Sequence, residues 1–175
     1  MEMEFTKILN PQTIVTHLNV KSKAETLDAM AELFVKAGIV TDKEEYLKDV
    51  YAREEIGETG IGNHIAIPHG RSKSVAAPGA AVAVLEHEVE WESLDDTGAK
   101  VVILFAVGDD GDAANDHLRL LAMFSKRLGN DALVSKLMDA DTVEDVIRIF
   151  TEEPEEEPEN ETEEAELDLD EISIL

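Results

Sequence analysis

Hydrophobic positions in the first 150 residues recur with two different periods, and the switches between them mark out the elements. Residues 13–18, Thr-Ile-Val-Thr-His-Leu, suit a short strand. Leu27, Met30, Ala31, Phe34 and Val35 then fall three and four apart. They form the stripe of a helix that Ser22 and Glu25 open as a capping box and that ends near Gly38. Tyr46, Leu47, Val50 and Tyr51 predict a second helix from after Thr41 to about Glu55, with Glu44 in its first turn.

Gly57, Gly60 and Gly62 next punctuate a loop that leads into Ile65-Ala66-Ile67, a buried strand stopped by Pro68, with His69 just past its end. Ala80 to Leu85 and Val101 to Val107 are apolar runs of strand length. Runs this apolar predict strands covered on both faces. From about Asn115 the stripe Leu118, Leu121, Ala122, Phe124 and Leu128 predicts a long amphipathic helix with His117 in its first turn. Shorter helices follow near 131–139 and 142–150, the second capped by Thr142. Strands alternating with helices give an α/β class, expected as a mixed, mostly parallel central sheet layered between helices.

Residues 152–164 are almost all Glu, broken by Pro154 and Pro158, and such a run buries too little surface to order itself. The expected organisation is therefore one folded domain over 1–151 and an acidic, disordered tail over 152–175. The tail's end, Leu167 to Leu175, alternates in strand fashion and could dock on a sheet edge or a partner.

Charge narrows the function classes. Forty acids against fifteen bases give a formal charge of −25, and thirteen of the acids lie in 151–175, so the body is acidic too. Nucleic acid and anionic membranes are disfavoured as partners, since phosphate contacts need clustered Lys and Arg. At about 1 M salt the Debye length shrinks to roughly 3 Å and such self-repulsion is screened, which implies a halophilic source. The chain has no cysteine, hence no thiol nucleophile. Its first residues lack the basic and apolar regions of a signal peptide, and no apolar run is long enough to span a bilayer. A cytoplasmic location without membrane insertion is expected.

Among motifs that carry chemistry, the glycine loop lacks the Lys-Ser/Thr of a P-loop and the third glycine of a dinucleotide fold. No serine-hydrolase elbow or H-E-x-x-H helix is present. Histidine remains: His64 and His69 flank one strand end, and His117 follows a later strand. Loops after neighbouring strands of an open α/β sheet would bring His69 and His117 together. A neutral imidazole is a nucleophile near pH 7, suited to reversible phosphoryl carriage, and a helix start beside His117 would offer backbone N–H groups to phosphoryl oxygens. On pattern alone, both histidines could equally be hydrogen-bonded loop residues.

The run Arg53-Glu54-Glu55-Ile56-Gly57-Glu58-Thr59-Gly60-Ile61-Gly62-Asn63-His64-Ile65-Ala66-Ile67-Pro68-His69-Gly70 resembles the active-site signature of the fructose-, mannitol- and nitrogen-type enzyme IIA domains of the sugar phosphotransferase system. Pro78-Gly79, Trp91-Glu92-Ser93-Leu94-Asp95 and Asp116-His117-Leu118-Arg119-Leu120-Leu121 extend the likeness over roughly residues 5–150. The resemblance is greatest to the fructose type. It implies that His69 takes a phosphoryl group from the phosphocarrier protein HPr and passes it to an enzyme IIB domain, and through it serves membrane enzyme IIC. It also implies that His117 stabilises that group, that Arg53 contacts it, and that neither metal nor nucleotide cofactor is needed. His64 departs from the pattern, standing where relatives commonly have glycine, and is read as a solvent or packing residue. His17 and His87 are read as structural or surface residues, and Asn63 as a turn residue.

Three alternatives stand beside this reading. Nitrogen-type members regulate through phosphorylation-dependent protein binding instead of sugar uptake. His64, His69, His117 and nearby acids could hold zinc. Arg53 could simply pair with Asp49 or Glu54 on its helix surface.

Overall fold

The computed structural model describes residues 9–110 and 112–151, so the acidic segment 152–175 lies outside the described residues. In chain order the elements are β1 (Leu9–Leu18), α1 (Lys23–Lys36), α2 (Lys43–Glu54), β2 (Gly60–Gly62), β3 (Ile65–Ala66), β4 (His69–Arg71), β5 (Gly79–Val89), β6 (Ala99–Val107), α3 (Ala113–Leu128), α4 (Asp131–Met138) and α5 (Val143–Thr151). The strands form one sheet in the order β1-β5-β6-β3-β2, with β4 also pairing β6. β1 with β5, β3 with β6 and β4 with β6 run parallel, whereas β5 with β6 and β2 with β3 run antiparallel. The sheet is thus mixed and mostly parallel.

Period-two alternation in the two long central strands divides the core. Ala80, Val82 and Val84 of β5 and Val101, Ile103, Phe105 and Val107 of β6 face α3, α4 and α5. Ala81, Ala83, Leu85, Val102, Leu104 and Ala106 face α1 and α2. Both faces are covered, which is why these runs are continuously apolar. Phe105, Phe124 and Phe150 stack in sequence at centroid distances of 5.4 and 5.2 Å and tie β6 to α3 and α5. Each buried Phe contributes roughly 1.5–3 kcal/mol.

Local chemistry sets the helix ends. Ser22 Oγ accepts the Glu25 N–H, as the capping box requires. The second helix is capped by Asp42, whose Oδ1 accepts the Glu45 N–H, and not by Thr41, whose hydroxyl is committed to the Ser74 carbonyl. Thr142 Oγ1 accepts the Asp145 N–H while Asp145 Oδ2 accepts that of Thr142, a reciprocal cap on α5.

Other expectations need correction. Leu118 and Tyr51 were expected on core stripes but are exposed, at 43% and 37%. The buried stripe of α3 is Leu120, Phe124 and Leu128, and it passes through His117 one turn earlier. Two short strands interrupt the segment read as loop: β2, and β4, which begins at His69 itself. Among the described residues no helix is long and apolar enough to cross a membrane.

Candidate active site

The site is built where β4 runs beside the C-terminal half of β6. His69 pairs with Phe105, Gly70 with Ala106 and Arg71 with Val107. Side chains alternate along a strand, so His69 and Arg71 share the Phe105 face toward α3, while Gly70 is turned toward α2. A Cβ on Gly70 would lie 2.6 Å from Val50 Cγ2 and 3.0 Å from Tyr46 Cε1, so the strand can lie this close to α2 only with glycine here. Tyr46 is fully buried and donates its hydroxyl to the Phe105 carbonyl at 2.6 Å, fixing α2 against the same stretch of β6.

His117 comes from the inward face of α3, and its ring lies 4.3 Å from that of His69, centroid to centroid, with the planes inclined at 43°. It is the fifth residue of a helix that begins at Ala113, not a first-turn residue. Its own N–H therefore lies beyond the free donors of the first turn, and its contribution has to come from the ring. Among the described residues His69 Nδ1 and His117 Nε2 are buried without a hydrogen-bond partner, an uncommon state for polar atoms and one typical of functional sites.

Electrostatics keep both rings neutral. Burial is the main cause that lowers the His69 pKa from 6.5 to about 3, helped by repulsion from His117 and by the Arg53 charge, while the Ile67 backbone pulls weakly the other way. Burial also lowers the pKa of His117, followed by the charges of Arg71 and then Arg53. Arg53, in the last turn of α2, donates from Nη1 to the Gly57 carbonyl at 3.1 Å. Of the two acids that could pair with it on the helix surface, Glu54 is taken by Lys23 at 2.6 Å and by the Thr59 hydroxyl at 2.7 Å.

His64 stands apart from this pair. It forms, with Asn63, the two-residue turn between β2 and β3, at φ values of 57° and 65°, both in the left-handed region. A type I′ turn needs such angles and favours Asn-Gly, which gives a physical reason for glycine at this position. Asp95 holds the turn by accepting the Asn63 N–H at 3.0 Å, and its hydrogen bonds to Thr97 and Asn63 lower its pKa to about 2. Asn63 is thus a turn residue, and its side chain reaches Asp131. The His64 ring turns to Glu88, 2.6 Å away. Zinc loses one of its proposed ligands in consequence, and among the described residues no group of three or more His, Asp or Glu is placed to hold a metal. His17 bridges Glu86 and Asp141, and His87 is exposed. Arg71 was missed, since its relation to His69 shows only once 69–71 is known to be a strand.

Fold and site together define an α/β sandwich with two neutral histidines, His69 buried and His117 half-buried, and nearby guanidinium charge at the end of its parallel strands. The family model described as "Phosphoenolpyruvate-dependent sugar phosphotransferase system, EIIA 2" matches residues 7–153, and the chain belongs to this family. It is 32% identical to the fructose-specific EIIABC component of Bacillus subtilis over 86% of this chain and 23% of that protein, so it spans about a quarter of that relative's length. It is also 32% identical to the nitrogen regulatory protein of Pseudomonas aeruginosa, over 83% of this chain and 94% of that protein. Among solved structures, the complex of enzyme IIA-mannitol and phosphorylated enzyme IIB-mannitol from Escherichia coli superposes with a TM-score of 0.70. It is 22% identical and covers 81% of this chain and 96% of that one.

Proposed function

We propose that the protein is a cytoplasmic fructose-type phosphoryl relay in which His69 accepts a phosphoryl group from phospho-HPr and passes it to an enzyme IIB domain, feeding sugar uptake through membrane enzyme IIC. The observation that carries this reading is the His69–His117 pair, whose burial keeps His69 unprotonated at neutral pH and therefore nucleophilic. Nδ1 of His69 is fully buried, which leaves Nε2 as the nitrogen a donor protein can reach. In the transfer the Nε2 lone pair forms a new P–N bond as the donor's P–N bond breaks. The electron pair of the old bond returns to the donor ring. In net terms PO3− moves one way and a proton the other. His117 and Arg53 offer hydrogen bonds and positive charge to the phosphoryl oxygens.

Exposed apolar side chains next to these residues suit protein docking: Leu118, which follows His117, and Ile56, which is 80% exposed and whose N–H caps the Arg53 carbonyl. The relative solved with phosphorylated enzyme IIB is consistent with the IIB partner. The chemistry resides in residues up to Thr151, with the acidic segment 152–175 taking no part, and the acidic surface fits a halophilic source.

A second reading is favoured by the extent of the match to the nitrogen regulatory protein, 94% of whose length this chain covers. In it, phosphorylation of His69 would control protein contacts. Incubating the phosphorylated protein with a fructose-type IIB separates the two. Rapid loss of phosphate to the IIB cysteine supports transport, and a stable phosphoprotein under those conditions sinks it.

A further inference from the structure

We propose that Arg71 is a phosphoryl-binding residue of this site, a second guanidinium that acts with Arg53 on the histidine pair. The inference rests on the relay reading above and adds a residue to it. β4 and its register place Arg71 two residues from His69 on the same face of the sheet, toward the helix that carries His117. Gly70 between them is pressed onto α2 on the opposite face, so the strand cannot rotate to take Arg71 elsewhere.

The two arginines differ in circumstance. Arg53 approaches from the end of α2 and is already committed to the Gly57 carbonyl. Arg71 is exposed, and its guanidinium makes no hydrogen bond or ion pair among the described residues. Its charge is the first to act on the His117 ring, ahead of that of Arg53, whereas Arg53 is the arginine whose charge bears on His69. Two cations from different elements, α2 and β4, therefore act on the pair of rings.

Charge balance gives this arrangement a purpose. A phosphoryl group carries about −1.5 to −2 at pH 7. His117 is held neutral, so it supplies a hydrogen bond without a full positive charge. Arg53 alone would leave the phosphoryl group short of about one positive charge, on a body already rich in acids. A free guanidinium on the correct face supplies the remainder and can grip two phosphoryl oxygens at once.

The test compares the full-length wild type with Arg71→Gln and Arg71→Lys, each phosphorylated with potassium phosphoramidate as a small donor that needs no docking surface. Mass mapping locates the label, and a 31P NMR titration follows ionisation of the attached phosphoryl group. Losing a unit charge close to the group should raise its pKa by about half a pH unit or more, with Arg71→Lys in between. Arg71 is exposed and unbonded, so circular dichroism and melting should be unchanged. Superimposable titration curves for wild type and Arg71→Gln, both labelled on His69, would overturn the inference and leave the relay reading standing. A wild type that takes no label on His69 would remove that reading and this inference with it.

Discussion

Lowering the pH tests the claim that burial keeps His69 neutral. The unfolded ring has a pKa near 6.5 and the folded ring one of about 3, so the unfolded state binds the proton first as pH falls. The folded-state pKa is depressed, so the cost is absent above about pH 7.5, appears below 6.5 and grows until pH reaches about 3. At 1.36 kcal/mol per pKa unit, the gap of one and a half units between 6.5 and pH 5 corresponds to about 2 kcal/mol of lost stability. Urea unfolding at pH 7.5 and pH 5.0, at constant ionic strength, should show the wild type losing about 2 kcal/mol more than His69→Gln. Any fixed packing defect of the variant cancels in that difference. A His69 ring that titrates near 6.5 by NMR, with equal losses in the two proteins, would refute the burial argument.

Three further outcomes are expected. His64→Gly relieves a left-handed residue costing about 1–2 kcal/mol and gives up an exposed pair with Glu88 worth about 0–1 kcal/mol, so urea unfolding should show unchanged or slightly higher stability. Transfer activity should be unaltered, and a lost activity would return His64 to the site. Thermal melts from dilute buffer to molar KCl should rise steeply if the acidic surface reflects a halophilic source, and a flat series would remove that inference. A chain ending at Thr151 should accept phosphate at the parental rate, and a large loss would give the acidic segment a role in docking.

The two long central strands and the five helices among the described residues were legible because each carries an apolar run or a periodic stripe. Residues 79–85 of β5 and 101–107 of β6 are buried on both faces and read as continuous apolar runs. β4 was hidden because three residues, one of them glycine, just after a proline carry no periodicity. The β2–β3 hairpin was hidden because His64 occupies the position where glycine would announce a type I′ turn. His69 and His117 were recognisable as chemistry, yet their meeting depends on register: His69 opposite Phe105, and His117 on the same helix stripe as Phe124, which stacks on Phe105. Arg71 became visible only when strand parity could be applied to it.

The central claim, that His69 is the phosphoryl carrier and His117 its stabiliser, is tested most directly by phosphorylation from phosphoenolpyruvate through enzyme I and HPr. Wild type, His69→Ala and His117→Ala would be compared, with the label mapped by mass spectrometry under alkaline conditions. The account expects label on His69 in the wild type and none in His69→Ala. His117→Ala should still carry it but hand it on to enzyme IIB about 10²–10³ times more slowly, the usual cost of removing one electrostatic contact. Acid-labile, base-stable phosphate that persists in His69→Ala and maps to His117 or His64 would contradict it.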